Sequence, residues 1–198
     1  MVFLRGNISK WGSILTAEKG SAMERQYLIV IDMQKDFVDG ALGTKEAQEI
    51  LPRVEEKIQN FPGTVIYTKD THDRNYLSTQ EGKHLPVEHC IKGTPGWQLA
   101  GGLEEMCQKS KAQVYEKDTF GCVRLAADML ARHKVNPVAS IELAGVCTDI
   151  CVVSNALLLK AFLPEVEICV DASCTAGVTK ESHEAALDTM RSCQIQVR

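Results

Sequence analysis

The sequence predicts an α/β fold: a three-layer α/β/α arrangement with a mostly parallel central sheet of about six strands. Three observations lead to this prediction. Short apolar runs, each the length of a buried strand, alternate with longer segments whose apolar residues recur at helical spacing. The first run, residues 27–31, is apolar throughout, as is typical of a strand covered on both faces. The 198 residues, 44% hydrophobic and 24% charged, have the composition of an ordinary globular domain.

The first half of the chain contains two strands, one long helix and a long polar segment. Residues 27–31 form the first strand, and residues 45–60 form a helix with one apolar stripe, made by Ala47, Ile50, Leu51, Val54 and Ile58. A Pro-Gly pair then turns the chain into the second strand at residues 64–68. Residues 69–96 are rich in His, Asp, Glu, Gly and Pro. A loop this long inside a compact domain is usually functional.

The second half continues the alternation of strands and helices. Gly145 breaks the apolar run of the fourth strand, and Thr148 and Asp149 form the polar start of the next helix. Strands connected through helices form right-handed βαβ units, which place ligands at the carboxyl ends of the strands. The predicted helices span residues 97–109, 122–133, 148–162 and 180–192, and the strands span residues 112–117, 137–144, 166–170 and 194–197.

The beginning of the chain differs from the rest. Residues 1–22 show neither helical periodicity nor the apolar core of a signal peptide. We interpret them as an N-terminal extension, which is either disordered, an upstream start or an ordered arm. Residues 23–198 then form a single domain.

Charge and composition exclude two classes of partner. A formal charge of −4 without a Lys/Arg cluster argues against binding to nucleic acid, and no apolar run approaches the length needed to cross a bilayer. Eight cysteines follow no signal peptide, and several lie inside predicted strands or helices. This distribution indicates reduced thiols in the cytoplasm rather than a disulfide framework. We therefore expect a cytoplasmic protein that acts on a small molecule.

Reactive or polar residues stand at the ends of four predicted strands. Asp32 ends the first strand, Asp70 the second and Lys117 the third, while Cys147 and Cys151 follow the fourth. Because the carboxyl ends of parallel strands meet at one edge of a sheet, we expect these side chains to converge there.

Cys151 is the candidate nucleophile. It falls in the first turn of a helix that follows directly on a buried strand. Free backbone N–H groups and the positive end of the helix dipole are found there, and both lower the pKa of a thiol. The same N–H groups can hold the oxyanion that forms when a thiolate attacks a carbonyl. The alternative is a small buried side chain without chemistry.

Asp32 and Lys117 are candidates for the groups that move the proton and balance the charge. No histidine lies at a strand end near Cys151, so a Cys–His pair is not indicated. A carboxyl group can act as general base to the thiol and then as general acid to the leaving group. Burial and a nearby anion would let Asp32 hold that proton for part of the cycle. The alternatives are a polar strand end and a solvated lysine.

The polar segment carries residue types that bind metals. Asp70 and His72 are two residues apart, so in an extended stretch both side chains point the same way. Glu81 and His89 follow; His84 is a bystander unless a shift in loop register exchanges it for His89. Imidazole and carboxylate ligands suit Zn²⁺, and also Mn²⁺ or Fe²⁺. The alternative is a solvated polar loop.

Three blocks of the sequence together resemble the isochorismatase-like cysteine hydrolase superfamily, whose members include nicotinamidases. The blocks are residues 31–37 (IDMQKDF), Glu116 and Lys117 with Phe120, and residues 145–151 (GVCTDIC), which occur in the order typical of that superfamily. The resemblance extends from residue 26 to about residue 175. It implies a Rossmann-like topology and, because members often associate, a homo-oligomer.

The resemblance also implies a catalytic arrangement. Asp32, Lys117 and Cys151 would form the catalytic triad. The peptide bond between Val146 and Cys147 would be cis, and the backbone N–H groups of Cys147 and Cys151 would form the oxyanion hole.

A metal site is implied by similarity to the nicotinamidases, in which a metal binds the pyridine nitrogen. Asp70, His72 and His89 match that pattern, whereas Ser78 stands where many nicotinamidases have a second histidine. Glu81 resembles the glutamate that takes this role in some members. The resemblance therefore implies a divalent metal, Zn²⁺ with Mn²⁺ or Fe²⁺ as alternatives, on Asp70, His72, Glu81 and His89.

The implied substrate is a small flat amide. Phe37 and Phe120 would supply aromatic faces for its ring, with Val146 beside them. Pro86 stands where many nicotinamidases have a tryptophan, a departure that leaves the exact substrate in doubt, and we expect Trp97 to pack under the polar segment. The implied reaction converts nicotinamide and water to nicotinate and ammonia, and it needs no redox cofactor.

Two alternatives remain open. The first is another hydrolase of the superfamily that acts on a different small amide, a ureide or a vinyl ether. The second is a non-catalytic, thiol-based binding protein that uses Cys147 and Cys151, although their C-x₃-C spacing is not the C-x-x-C of thioredoxin-like sites. We expect the other cysteines in the core, with the roles of Cys90 and Cys174 open because both stand near the predicted site.

Overall fold

Six parallel strands form one central sheet in the computed structural model, which describes residues 25–198. The interpretation of residues 1–22 lies outside the described residues. The order of the strands across the sheet is β3-β2-β1-β4-β5-β6, and every neighbouring pair is parallel. The strands are β1 (Gln26–Ile31), β2 (Thr64–Asp70), β3 (Gln113–Lys117), β4 (Ser140–Val146), β5 (Glu167–Ala176) and β6 (Gln196–Val197).

Helices follow the strands in alternation, as the sequence predicts. Within residues 25–198, none is long and apolar enough to cross a membrane. The helices are α1 (Lys35–Val38), α2 (Lys45–Asn60), α3 (Gln80–His84), α4 (Leu103–Ser110), α5 (Val123–Val135), α6 (Val153–Phe162) and α7 (Lys180–Ser192).

Alternate side chains of the central strands enter two separate cores. Ile29 and Ile31 of β1 pack with side chains of α5, α6 and α7. Leu28 and Val30 of the same strand pack with side chains of α2 and α4 on the opposite face. Because successive strand residues point to opposite faces, a strand covered on both sides needs a continuous apolar run. The predicted three-layer fold is confirmed.

The order of the strands reverses at β1. β2 and β3 lie on one side of it, and β4, β5 and β6 lie on the other. In open parallel sheets, ligands bind beyond the carboxyl ends of the strands at such a point of reversal. Asp32 follows β1 directly and Cys147 follows β4 directly, so both lie at this point.

Gly145 does not end β4, contrary to the expectation from the sequence. The strand continues to Val146, and Gly145 pairs with Ile31 of β1. Its φ is 121°, and a Cβ at this position would lie only 2.1 Å from the carbonyl oxygen of Ile31. A glycine is needed here because the two strands approach closely and the backbone is left-handed, not because the chain turns.

The polar segment after β2 contains more helix than predicted. A 3₁₀ turn at Tyr76–Ser78 and the helix α3 interrupt what the sequence predicts as a loop. The helix predicted from residue 97 begins only at Leu103, because Trp97 belongs to a separate 3₁₀ turn at Pro95–Trp97. Neither short turn has enough apolar periodicity to be recognised in the sequence.

The fifth strand is longer than predicted. It continues to Ala176 rather than ending at residue 170, and its pairing with β4 shifts along the way. Leu143 lies opposite Val170, whereas Gly145 lies opposite Thr175. The intervening polar residues 171–174 therefore bulge, and their polarity hides the continuation of the strand in the sequence.

Candidate active site

The carboxyl ends of the strands bring four buried, reactive side chains together. The Nζ atom of Lys117 lies 2.7 Å from Oδ2 of Asp32 and 3.5 Å from Sγ of Cys151. The same Nζ atom is 3.3 Å from Oδ1 of Asp70. Lys117 reaches Asp70 because the two residues pair across β3 and β2, and β2 lies next to β1. The three residues predicted as a triad therefore share one site.

The carboxyl group of Asp32 is fully buried and held by a neighbouring strand. The hydroxyl of Thr68 donates to Oδ1 of Asp32 at 2.6 Å and accepts from the backbone N–H of Asp32 at 3.2 Å. Burial raises the pKa of Asp32; the charge of Lys117 opposes the rise and that of Asp70 adds to it. Asp32 can therefore hold a proton at a higher pH than an exposed aspartate does, as an acid–base group requires.

Lys117 carries its positive charge inside the protein. Burial opposes this charge, but the negative charge of Asp32 and interactions with Cys151 and Asp70 outweigh it, so the pKa of Lys117 is raised. The ammonium group therefore stays charged across the neutral range. It can balance negative charge on either the carboxylate or the thiol.

The thiol of Cys151 does not have the lowered pKa that its place at a helix start predicts. Cys151 lies in a π-helical turn, Thr148–Val152, directly before α6, and is 6% exposed. Burial and the charge of Asp32 raise the pKa of Cys151 well above its ordinary value, and Lys117 offsets only part of this. The prediction of a helix-lowered pKa is wrong. The thiol is protonated at neutral pH and needs a base before it can attack.

The Val146–Cys147 peptide bond is cis, as the resemblance implies. The carbonyl oxygen of Cys147 accepts hydrogen bonds from Ile150 N–H at 3.1 Å and Val152 N–H at 3.0 Å. These bonds close the turn that carries Cys151. The backbone N–H groups of Cys147 and Cys151 stay the candidates for an oxyanion hole.

Asp70, His72, Glu81 and His89 form a compact group of potential metal ligands, with one ligand atom from each within 4.8 Å of the others. Oδ2 of Asp70 is 2.8 Å from Nε2 of His72 and 3.6 Å from Nε2 of His89. Oε1 of Glu81 is 3.7 Å and 3.8 Å from the same two nitrogens. Ligand atoms about 2.1 Å from one ion stand roughly 3 to 3.5 Å apart. The group therefore fits one divalent cation after small adjustments.

Hydrogen bonding around the two imidazoles also fits a metal. Nδ1 of His89 lies 2.8 Å from the carbonyl oxygen of Val87, which places the proton on Nδ1 and leaves Nε2 free to bind. Nε2 of His72 is buried and makes no well-directed hydrogen bond, although Asp70 is close. A buried nitrogen without a hydrogen bond is costly unless another group binds it. Two imidazoles and two carboxylates suit Zn²⁺, and also Mn²⁺ or Fe²⁺.

His84 is not part of the ligand group. It is exposed, and its Nδ1 lies 2.8 Å from the carbonyl oxygen of Gln80 in its own helix. The alternative loop register, in which His84 exchanges with His89, does not occur. Glu81 reaches the group from the first turn of α3, whereas Ser78 is exposed in the preceding 3₁₀ turn.

One cavity of about 1040 Å³ opens onto both the thiol and the ligand group. Phe37 and Phe120 line it, as predicted for an aromatic substrate pocket. The ring of Phe37 lies 5.4 Å from that of His89, and Phe120 is 48% exposed at the mouth. A ring bound here could contact the ligand group with one edge and present a substituent to Cys151.

Val146 and Trp97 lie outside this cavity. The side chain of Val146 is buried in the core and does not line the cavity, so the structure gives no support to its predicted contact with substrate. The indole N–H of Trp97 donates to Oγ1 of Thr71 at 2.9 Å, and Lys69 lies over its ring. Trp97 therefore packs under the polar segment, as expected.

The cysteines of the described chain are all free. Cys147 is partly exposed and lines the cavity with Cys151. Cys90 and Cys174 are buried and do not line it. Cys193 is exposed rather than in the core, which corrects the prediction for that residue.

Three buried polar residues that sequence reasoning missed support the site from behind: Gln34, Thr68 and Asn155. Oε1 of Gln34 accepts the N–H of Asp70 at 2.7 Å, and its Nε2 donates to the carbonyl oxygen of Asp70 at 2.9 Å. Asn155 bonds to the carbonyl oxygen of Cys151 at 2.8 Å. Asn155 stands in a largely apolar stretch, residues 152–158, and Thr68 ends the apolar run of residues 65–67. A polar residue in or beside such a run is buried and needs a hydrogen-bond partner, which is the signal that could have found both.

Comparisons with known proteins cover nearly all of the described chain. The family model of the isochorismatase domain matches residues 26–198. A relative from Bacillus subtilis, described as the uncharacterized isochorismatase family protein PncA, is 31% identical over 82% of this chain and 92% of its own length.

Solved structures give the same fold. The pyrazinamidase/nicotinamidase from Streptococcus mutans has a TM-score of 0.74 at 30% identity, covering 87% of this chain and 99% of its own. The pyrazinamidase of Pyrococcus horikoshii, solved in complex with zinc, has a TM-score of 0.70 at 29% identity, covering 88% of this chain and 98% of its own.

Proposed function

The chain belongs to the isochorismatase family, and we propose that it is a nicotinamidase, which converts nicotinamide and water to nicotinate and ammonia. Its family and its nicotinamidase relatives support an amide-hydrolysing enzyme. The choice of nicotinamide goes further and depends on one observation: a single cavity presents both a ligand group for a divalent cation and a buried thiol. A pyridine amide offers a ring nitrogen to the first and an amide carbon to the second.

Cys151 supplies the nucleophile in the first half of the proposed reaction. Because its thiol is protonated, Asp32 first accepts the thiol proton. The thiolate attacks the amide carbon, and the backbone N–H groups of Cys147 and Cys151 stabilise the oxyanion. Lys117, 2.7 Å from Asp32 and 3.5 Å from Sγ, keeps a positive charge beside both partners during the transfer.

The tetrahedral intermediate then collapses and the C–N bond breaks. Asp32 returns its proton to the departing nitrogen, so ammonia leaves and an acyl-thioester remains on Cys151. A water molecule enters, Asp32 takes one of its protons, and the hydroxide attacks the thioester carbon. The C–S bond breaks, the sulfur recovers the proton from Asp32, and nicotinate leaves.

Asp70, His72, Glu81 and His89 would hold a divalent metal, Zn²⁺ by preference, with Mn²⁺ or Fe²⁺ as alternatives. Bound there, it would supply a Lewis acid for the ring nitrogen of the substrate. Phe37 and Phe120 would contact the faces of the ring. The chain itself fixes the distance from the ligand group to the thiol, because Asp70 ends β2 and Cys151 follows β4, and both strands pair with β1.

The experiment that tests this proposal is an ammonia-release assay on purified protein of known metal content, with nicotinamide first in a panel of small amides. We expect turnover of nicotinamide, about one divalent ion per chain, and no turnover by Cys151→Ala. Mass spectrometry after rapid acid quench should show an acyl adduct on Cys151. A Cys147→Ala variant should keep most of the activity, because only its backbone is used.

Other outcomes of the same assay point to the alternatives. Turnover of a different amide, a ureide or a vinyl ether, by protein that binds no metal, would favour another hydrolase of the family. Absence of any turnover and of any adduct on Cys151 would favour a thiol-based binding protein. A cytoplasmic location and a homo-oligomer stay predictions, which fractionation and light scattering would check.

A further inference from the structure

We infer that Asn155 is a positioning residue: it fixes the backbone of Cys151 relative to the loop that follows Lys117. The loop consists of residues 118–122 and connects β3 to α5. The inference rests on the proposed function only in that it assumes a reaction at Cys151.

The side-chain amide of Asn155 contacts three backbone groups on two segments. Its Nδ2 donates to the carbonyl oxygen of Cys151 at 2.8 Å and to that of Phe120 at 3.0 Å. Its Oδ1 accepts from the N–H of Cys122 at 2.9 Å. Asn155 is 1% exposed, so bulk water cannot replace these partners. The amide therefore joins the turn of the nucleophile to two points of the loop, Phe120 and Cys122.

Packing holds only the C-terminal end of this loop, where Cys122 is buried in the core and Gly121 lies against α6. Asp118, Thr119 and Phe120 are exposed, so packing fixes them weakly. Within the described part of the chain, no other hydrogen bond connects residues 118–122 to α6. Asn155 therefore supplies the hydrogen bonds that tie this loop to α6, and one of them holds the backbone of Phe120, whose ring forms an aromatic wall of the cavity.

The same contacts bear on the nucleophile. Asn155 lies one helical turn after Cys151, which belongs to a π-helical turn rather than an α-helical one. The hydrogen bond from the Asn155 side chain to the carbonyl oxygen of Cys151 adds to the backbone hydrogen bonds of this turn. Lys117, whose Nζ lies 3.5 Å from Sγ, stands at the start of the loop. A shift of about 1 Å between reacting groups can cost roughly 100-fold in rate. Loss of Asn155 should therefore affect the reaction and not only the stability.

The test compares two variants of the full chain with a stability control. Asn155→Leu removes all three contacts with little change in volume. Asn155→Thr retains a hydroxyl that can donate to the carbonyl of Cys151 four residues earlier but cannot reach the loop. Lys57→Met, at a residue that does not line the cavity, loses ion pairs with Glu142 and Asp171 and serves as the matched control for lost stability. Rates are expressed per reactive Cys151, counted by alkylation and peptide mass spectrometry.

For nicotinamide, Asn155→Leu should lower kcat by about tenfold or more and raise KM. Asn155→Thr should recover much of kcat while KM stays raised, and Lys57→Met should change neither. Wild-type kcat and KM in Asn155→Leu, with only a lower melting temperature, would overturn the inference. If the wild-type chain does not hydrolyse nicotinamide, the proposed function fails separately. The alkylation rate of Cys151 by iodoacetamide then decides: a several-fold change in Asn155→Leu supports positioning, and an unchanged rate refutes it.

Discussion

The carboxylate of Asp32 and the ammonium group of Lys117 lie 2.7 Å apart, and both side chains are almost fully withdrawn from solvent. Taking two charges out of water costs several kcal/mol per ion, so a buried pair is weak evidence for stability. The pKa of each group is raised, which keeps Lys117 charged and lets Asp32 bind a proton. The thiol of Cys151 lies 3.5 Å from the same ammonium group, so in the proposed reaction this pair serves proton transfer to and from sulfur.

Replacing Lys117 tests this relationship. In Lys117→Met the carboxyl of Asp32 loses the charge that opposes its protonation, so its pKa should rise further and it should no longer accept the thiol proton. We expect kcat for amide hydrolysis to fall by about 100- to 10,000-fold. Ammonia release measures the loss, and a thermal melt shows that the variant is folded. A folded Lys117→Met with more than a tenth of wild-type activity would contradict the assigned role.

The pH dependence of kcat/KM should follow Asp32. The free enzyme needs Asp32 ionised to accept the thiol proton, and burial raises the pKa of this group above its ordinary value of 3.8. Activity should therefore fall as the pH drops through that raised pKa, at a pH above the ordinary aspartate range. The raised pKa of Lys117 keeps its charge, so it sets no alkaline limit. A profile that stays flat down to about pH 4, in protein shown to be folded, would exclude Asp32 as the base.

Part of the site could be predicted from the sequence because several of its residues stand at the carboxyl ends of predicted strands. Asp32, Asp70 and Lys117 each follow or end a strand, and parallel topology alone brings such positions to one edge. The spacing of Asp70 and His72 likewise follows from the alternation of an extended chain. These features can be predicted from the local sequence pattern and from the rule that strands joined through helices lie parallel in one sheet.

Other features depend on distances that the sequence does not contain. The pKa of Cys151 is raised rather than lowered because burial outweighs the start of the helix, and burial appears only in the packed structure. Gly145 continues a strand because β1 approaches closely. The role of Asn155 depends on a loop more than thirty residues earlier, with which it exchanges hydrogen bonds.

Gly145 and Gly93 provide a matched pair of substitutions. Both have positive φ, but a Cβ on Gly145 would lie 2.1 Å from the carbonyl oxygen of Ile31, whereas one on Gly93 would meet nothing within 4 Å. Gly93→Ala should cost about 1 to 2 kcal/mol of stability from backbone strain alone. Gly145→Ala adds a backbone clash in the centre of the sheet and should cost more than about 4 kcal/mol or prevent folding. Urea unfolding of both variants measures this, and equal losses would contradict the close approach of β1 and β4.

The cluster of Lys57, Glu142 and Asp171 should make stability depend on pH at both extremes. Nζ of Lys57 lies 2.7 Å from a carboxylate oxygen of each partner. Burial would raise the pKa of Asp171, but hydrogen bonds from Lys57 and Ser173 lower it below the ordinary value of 3.8. Its contribution to the free energy of unfolding is therefore fully present above pH 3.8 and is lost as the pH falls through the lowered pKa. The pKa of Lys57 is raised above its ordinary value of 10.5. Its contribution to the free energy of unfolding is therefore fully present below pH 10.5 and is lost as the pH rises through the raised pKa.

The Lys57→Met variant isolates this contribution. It leaves two partly buried carboxylates without their cation, and we expect it to lower the free energy of unfolding at pH 7 by about 1 to 3 kcal/mol. Denaturant unfolding should be measured for both proteins at a series of pH values. As the pH falls below 3.8, the free energy of unfolding of Lys57→Met should decrease less than that of the wild type. An unchanged free energy of unfolding at pH 7 would mean that solvent screens the cluster fully.

Gln34 should control how well the protein retains a divalent metal. Its side-chain amide bonds to both backbone groups of Asp70, at 2.7 Å and 2.9 Å, and to the carbonyl oxygen of Trp97 at 3.0 Å. Residues that orient a metal ligand typically contribute about 10- to 100-fold to affinity, so Gln34→Leu should weaken Zn²⁺ binding by that factor. Competition with a chromophoric chelator measures the affinity, with His72→Ala as the variant that loses a ligand outright. If Gln34→Leu binds Zn²⁺ as tightly as the wild type while His72→Ala does not, Asp70 either holds its place without the amide or is not a ligand.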